Sequence, residues 1–120
     1  MTSTTDISQI RYSRAIADCL YQEMDRDNDV VIMGEDIGHH GGIFAATKGL
    51  QEQFGDRRVL DTPISETGFV GMAIGAAIAG KRPIAELMFM DFVLVAADQM
   101  WNQAAVLGYL SGNKLKIPLT

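Results

Sequence analysis

Short aliphatic runs that alternate with longer helical stretches constrain this chain more than any other feature. Val30-Val31-Ile32-Met33, ended by Gly34, reads as a strand buried on both faces. Val59-Leu60, ended by Pro63, and Pro83 to Met88 read as the second and third strands, and Leu115 to Leu119 opens a fourth. Ahead of the first strand, Arg11 to Asp27 carries Ile16, Leu20 and Met24 on one helical face, with Ser13 as its N-cap. Phe44 to Phe54 predicts a helix closed by Gly55, and Glu66 to Ala79 a helix capped by Ser65 and closed by Gly80. Asp91 to about Leu110 predicts one long helix, because Phe92, Val95, Ala96, Gln99, Met100, Gln103 and Val106 recur at spacings of three and four. Strands joined through helices require crossovers, and right-handed crossovers give a parallel sheet with helices on both faces. The expected architecture is therefore α/β, with a mostly parallel four-stranded sheet in a single domain over residues 1–120. No crossover helix follows the last strand, so the domain is expected to be incomplete.

Charge narrows the function classes. Fifteen acids against ten Lys and Arg leave a net charge of −5, with no basic block. Nucleic acid and anionic membrane surfaces both need clustered cations, so neither is expected as a partner. The longest uncharged apolar run, Thr67 to Gly80, is 14 residues and stops at Lys81-Arg82, against the roughly 20 needed to span a bilayer. One cysteine, Cys19, excludes an internal disulfide and points to a reducing compartment. The first residues show no basic start with an apolar core behind it, so a bacterial-type cytoplasmic setting is expected.

Three features invite a chemical reading. Gly68, Gly71 and Gly75 lie on one face of the expected helix, at about 1 kcal/mol each relative to Ala, so either internal helix packing or a subunit interface must offset them. His39-His40 in a glycine-rich loop has no acid or cysteine at a ligand spacing, which favours an ordinary surface loop over a metal site. Glu66 occupies the first position of its helix, where the helix dipole alone would account for a carboxylate. That position also lies at the carboxyl end of a parallel strand, where open α/β sheets bind ligands, and Ile64, Phe69 and Val70 surround it in sequence. Glu35 and Asp36 end the first strand at the same edge, and Phe92 follows the third. No nucleophile with a base and no phosphate loop accompanies them. From the residues alone, this is half a site.

Gly34-Glu35-Asp36, Asp61-Thr62-Pro63-Ile64-Ser65-Glu66, Gly80-x-Arg82-Pro83, Asp91-Phe92 and Asp98-Gln99 with Asn102 carry a resemblance, in order and spacing, from Tyr12 to Thr120. The chain resembles the N-terminal, pyrimidine-binding portion of the beta subunit of the first component of 2-oxo acid dehydrogenase complexes. That family includes pyruvate, branched-chain 2-oxo acid and acetoin dehydrogenases. The resemblance implies a transketolase-like fold without the family's C-terminal domain. It also implies thiamine diphosphate as cofactor and oxidative decarboxylation of a 2-oxo acid, with acyl transfer to a lipoyl group. An alpha subunit would hold the diphosphate and its Mg²⁺ through a Gly-Asp-Gly motif absent here. The assembly implied is an α2β2 heterotetramer bound to a lipoyl acyltransferase core. Residue by residue, Glu66 matches the glutamate at N1′ of the aminopyrimidine, Phe92 an aromatic position beside that ring, and Ile64 a lining position of the same pocket. Glu35 matches an acidic channel between paired sites. Leu119 matches a backbone carbonyl of a monovalent-cation site, such as one for K⁺. The alternatives are another transketolase-like thiamine-diphosphate enzyme, or a non-catalytic assembly fragment that folds on a partner. Alone, the chain is expected to self-associate or to be marginally stable.

Overall fold

A computed structural model describes residues 9–120. Helix α1 (Tyr12–Arg26) leads into strand β1 (Val30–Gly34), followed by the short helix α2 (Leu50–Phe54) and strand β2 (Val59–Asp61). Helix α3 (Glu66–Ile78) and strand β3 (Arg82–Glu86) complete the regular alternation. The three strands form a parallel sheet in the order β2-β1-β3, with Gly34 abreast of Asp61 on one side and Glu86 on the other.

Side-chain alternation along β1 divides the core in two. Val30 and Ile32 pack with Leu20 and Met24 of α1, Leu50 of α2, Ile37 and Val59. Val31 and Met33 face the opposite way, onto Ala73 of α3. Phe69, Val70 and Ile74 extend that second layer to Ala96. Helices therefore cover both faces, as a parallel sheet requires.

Several elements depart from the sequence-based expectation. The cap position of α1 is Arg11 and not Ser13, and no side chain caps it; Ser13 lies inside the first turn. Residues 43–49 are turns and not helix, because Ala45 and Gly49 take positive φ (57° and 84°) and the loop folds back on itself. Thr47 holds it there by donating its hydroxyl to the Ile37 carbonyl at 2.7 Å. The long helix from Asp91 is broken into a 3₁₀ turn (Met90–Leu94), a π-helical segment (Gln99–Ala104) and helix α4 (Ala105–Leu110). Thr67 of α3 donates to the Val95 carbonyl at 2.5 Å, tying the chain to α3 where a continuous helix would have run past. Residues 114–120 form no full strand. Only Thr120 reaches β3, donating to the Pro83 carbonyl (3.1 Å) and accepting from the Ala85 N–H (2.9 Å).

Arg58 is a structural residue that the sequence reading passed over. Its guanidinium donates to the carbonyls of Met24 (2.7 Å), Asp27 (2.8 Å) and Val30 (2.9 Å) and lies over the Phe54 ring at 5.1 Å. It ties the end of α1 to the start of β1.

Candidate functional site

The carboxyl edge of the sheet collects buried polar groups on its α3 face. Glu35 follows β1 and continues the Val31, Met33 alternation, which brings it to that face with 7% of its surface exposed. Thr62 follows β2, anchored by its N–H to the Gly34 carbonyl at 2.9 Å. Glu66 opens α3 and is 8% exposed. The turn between β2 and α3 is set by Pro63 and by Ser65, whose hydroxyl donates to the Pro63 carbonyl (3.0 Å) and does not cap the helix as expected.

This cluster is incomplete in hydrogen bonding. Glu35 Oε1 and Thr62 Oγ1 are both buried and have no partner. Unpaired buried polar atoms are rare, because each forgoes water without replacement, about 1–3 kcal/mol apiece. Burial pushes the Glu35 carboxyl above the usual carboxylate range, and the charge of Glu66 raises it further. The Ser65 backbone amide draws it part of the way back, and Asp36 adds a smaller push. A buried carboxyl raised by its neighbour's charge and an unpartnered hydroxyl at the same sheet edge suit a ligand that brings both a hydrogen-bond donor and an acceptor.

The other expected positions are distributed unevenly. Phe92 sits on the 3₁₀ turn, 37% exposed, edge to face with Phe89 at 5.9 Å; Phe89 in turn meets Phe44 at 5.7 Å. Ile64 is 83% exposed and shields nothing within this chain, whereas Phe69 and Val70 are buried. Leu119 packs its side chain against Val31, Met33 and the α3 layer. His39 and His40 are exposed with their rings edge to face, and His40 Nδ1 is 4.0 Å from Asp36. Among the described residues no three His, Cys, Asp or Glu side chains gather as a metal site would require. The glycines of α3 divide: a Cβ at Gly71 would stand 3.0 Å from Gln99 Oε1, while Gly75 faces open space. Thr62 was missed as a site residue because a threonine before proline reads as an ordinary turn residue; only its unpartnered burial singles it out.

No described helix is long and apolar enough to cross a membrane. The family model described as "Transketolase, pyrimidine binding domain" matches residues 8–119. The chain is 50% identical over 113 residues to the pyruvate dehydrogenase E1 component subunit beta of Chaetosphaeridium globosum, covering 94% of this chain and 35% of that one. It is 48% identical over 118 residues to the chloroplastic subunit beta-2 of Arabidopsis thaliana, covering 98% of this chain and 29% of that one. A third relative, the 2-oxoisovalerate dehydrogenase subunit beta of Bacillus subtilis, is 46% identical over 113 residues, 94% of this chain and 35% of its own length. The chain thus spans about a third of the length of these relatives. With a parallel sheet covered on both faces and an acidic half-site at its carboxyl edge, the chain belongs to the transketolase pyrimidine-binding domain family.

Proposed function

We propose that this chain forms the pyrimidine half of a thiamine-diphosphate site in the beta subunit of a 2-oxo acid dehydrogenase. One observation carries the reading: Glu35 and Glu66 are buried where the charge of one acts on the other, at the sheet edge that Thr62 also ends, and Glu35 Oε1 and Thr62 Oγ1 are unpartnered. An aminopyrimidine offers ring-nitrogen acceptors and an exocyclic donor, which matches that set. Thiamine diphosphate, when bound, supplies the carbanion chemistry by which a 2-oxo acid loses carbon dioxide.

The chain's own residues supply orientation and proton control. Glu66, held at the first turn of α3, would hold the aminopyrimidine at N1′ and share a proton with it. Burial, with the charge of Glu66 as a second cause, pushes the Glu35 carboxyl above its ordinary range, which favours its protonated form. Phe92 and Ile64 keep apolar surface available at the sheet edge, where a second subunit can cover it and exclude water. The Leu119 carbonyl would be one donor of a monovalent-cation site completed by other residues. Mg²⁺ and the diphosphate would be held by an alpha subunit in an α2β2 assembly that delivers acyl groups to a lipoyl acyltransferase. Chloroplastic relatives remove the support for a bacterial-type cytoplasm as the compartment.

In a full-length enzyme assembled with its alpha subunit, Glu66→Gln should keep the fold and slow exchange of the cofactor C2 proton by about 10²–10⁴. Unchanged exchange in a correctly assembled variant removes Glu66 from the chemistry. Cofactor binding without turnover in the unmutated assembly would favour a non-catalytic fragment.

A further inference from the structure

Glu35 stands in a turn that breaks the alternation of β1. Val31 and Met33 face α3, and Glu35 continues that series, so regular alternation would send Ile37 the same way. Ile37 is instead fully buried in the opposite layer, with Leu20, Met24 and Val30. The reversal takes place at Asp36, whose φ is 56°. That conformation is uncommon outside glycine, and it persists where the surrounding structure fixes the chain on either side.

The chain on either side of Asp36 is tied to consecutive residues at the end of β2. Ahead of the turn, the Gly34 carbonyl accepts from the Thr62 N–H at 2.9 Å. Beyond it, the Gly38 N–H donates to Asp61 Oδ1 at 2.7 Å. Glu35, Asp36 and Ile37 are the residues spanned between these two bonds. Two further bonds, from the Gly42 N–H to the Asp36 carbonyl (2.8 Å) and from the Thr47 hydroxyl to the Ile37 carbonyl (2.7 Å), run onward into the same loop and not back to β2. Asp61 is exposed, and among the described residues no Lys, Arg or His pairs with it. Its carboxylate is aimed by the Gly38 amide, a bond strengthened by the charge of the acceptor. The approach is close. A Cβ at Gly38 would run into Asp61 Oδ2 and into the side-chain amide of Gln51, which itself donates to the Val59 carbonyl at 3.1 Å.

We propose that Asp61 is a positioning residue, which by holding Gly38 against the end of β2 keeps the Glu35 carboxyl turned to the α3 face of the sheet edge. Its value to a ligand rests on the reading of that face as the pyrimidine half-site, whereas its action on Glu35 does not.

Carboxyl NMR of the 120-residue chain reads the position of Glu35 through its titration midpoint. Burial and then the charge of Glu66 raise that carboxyl, the Ser65 amide lowers it, and Asp36 adds a smaller push; Asp61 is not among the groups acting on it. Asp61→Ala frees Gly38 and lets water reach Glu35, so the midpoint should fall by about half a pH unit or more. Asp61→Asn removes the same charge yet keeps an oxygen for the Gly38 N–H, and should leave the midpoint where it stands in the unmutated chain. Gly38→Ala opens the same tie from the other side and should lower the midpoint as Asp61→Ala does. An unmoved midpoint in Asp61→Ala, or an equal fall in Asp61→Asn, overturns the proposal. If Asp61→Ala does not fold, Gly38→Ala against Asp61→Asn decides alone. Glu66→Gln in the assembled enzyme tests the half-site separately, so a failure there leaves the Glu35 midpoints to decide for Asp61.

Discussion

Gly71 and Gly75 lie one helical turn apart on α3, and the structure gives them opposite responses to the same change. Nothing lies within 4 Å of a Cβ built at Gly75. Gly75→Ala therefore adds no clash and removes only the conformational freedom of glycine in the unfolded chain. The helix propensity difference, about 1 kcal/mol, should appear almost whole as added stability. For a domain of this size that is a rise in Tm of roughly 4 °C. At Gly71 the new Cβ meets Gln99 Oε1 at 3.0 Å and Cδ at 3.4 Å. The far end of a glutamine can move, so Gly71→Ala should come out near neutral, its propensity gain offset by displacing Gln99. Gly71→Leu cannot be accommodated in that way and should cost about 1–3 kcal/mol by overpacking. Urea denaturation of the isolated chain, read by circular dichroism, measures all three. Gly75→Leu adds the assembly readout: it should leave the isolated chain folded yet block association if the open face docks on another subunit. A destabilising Gly75→Ala, or a neutral Gly71→Leu, would refute this division of the glycine face.

Other perturbations follow from the same contacts. The folded-state pKa of Glu35 is raised, so the stability that goes with its proton is present below the unfolded carboxylate range near 4.3 and is lost as pH rises through the folded value. Glu35→Gln should therefore stabilise the isolated chain at pH 7 and flatten that slope; a pH–stability profile identical to the unmutated chain would contradict it. Arg58→Ala leaves the carbonyls of Met24, Asp27 and Val30 without their donor and should cost about 3 kcal/mol in urea unfolding, with Arg58→Lys recovering only a part. Sedimentation of the isolated chain should show self-association that grows with concentration, because Leu94, Trp101 and Leu110 are exposed. Its radius of gyration of 16.0 Å also exceeds the about 13.6 Å expected for a compact chain of this length. A monomer at every concentration would overturn that expectation.

The strands and the helices α1 and α3 were legible because each buries a periodic face, and burial is what periodicity records. Breaks in the pattern were less so. Asp91 to Leu110 has the spacing of a continuous helix, yet Val95 accepts from Thr67 of α3 and Gln99 lies against Gly71 of α3, approaches that are tertiary and leave no mark on spacing. The turns after His40 follow from Ala45 at positive φ, a conformation that alanine's composition gives no reason to expect. At the site, Glu66 and Glu35 could be placed at one edge from strand ends alone. Thr62 could not, since what distinguishes it is a buried hydroxyl without a partner.

The two carboxyls at the ends of adjacent strands suggest why such a domain works as half of something larger. Glu35 follows β1 and Glu86 ends β3, and side-chain alternation sends them to opposite faces of one sheet edge. Both are pushed toward the protonated form by burial, so each makes the isolated fold less stable near neutral pH than its neutral isostere would. An incoming donor that pairs either one returns that free energy to the folded state, and it binds the folded state only. A ligand that pairs Glu35 on the α3 face should therefore raise the stability of the domain by mass action. Stability of the folded domain is in this way coupled to occupation of the Glu35 and Glu66 edge.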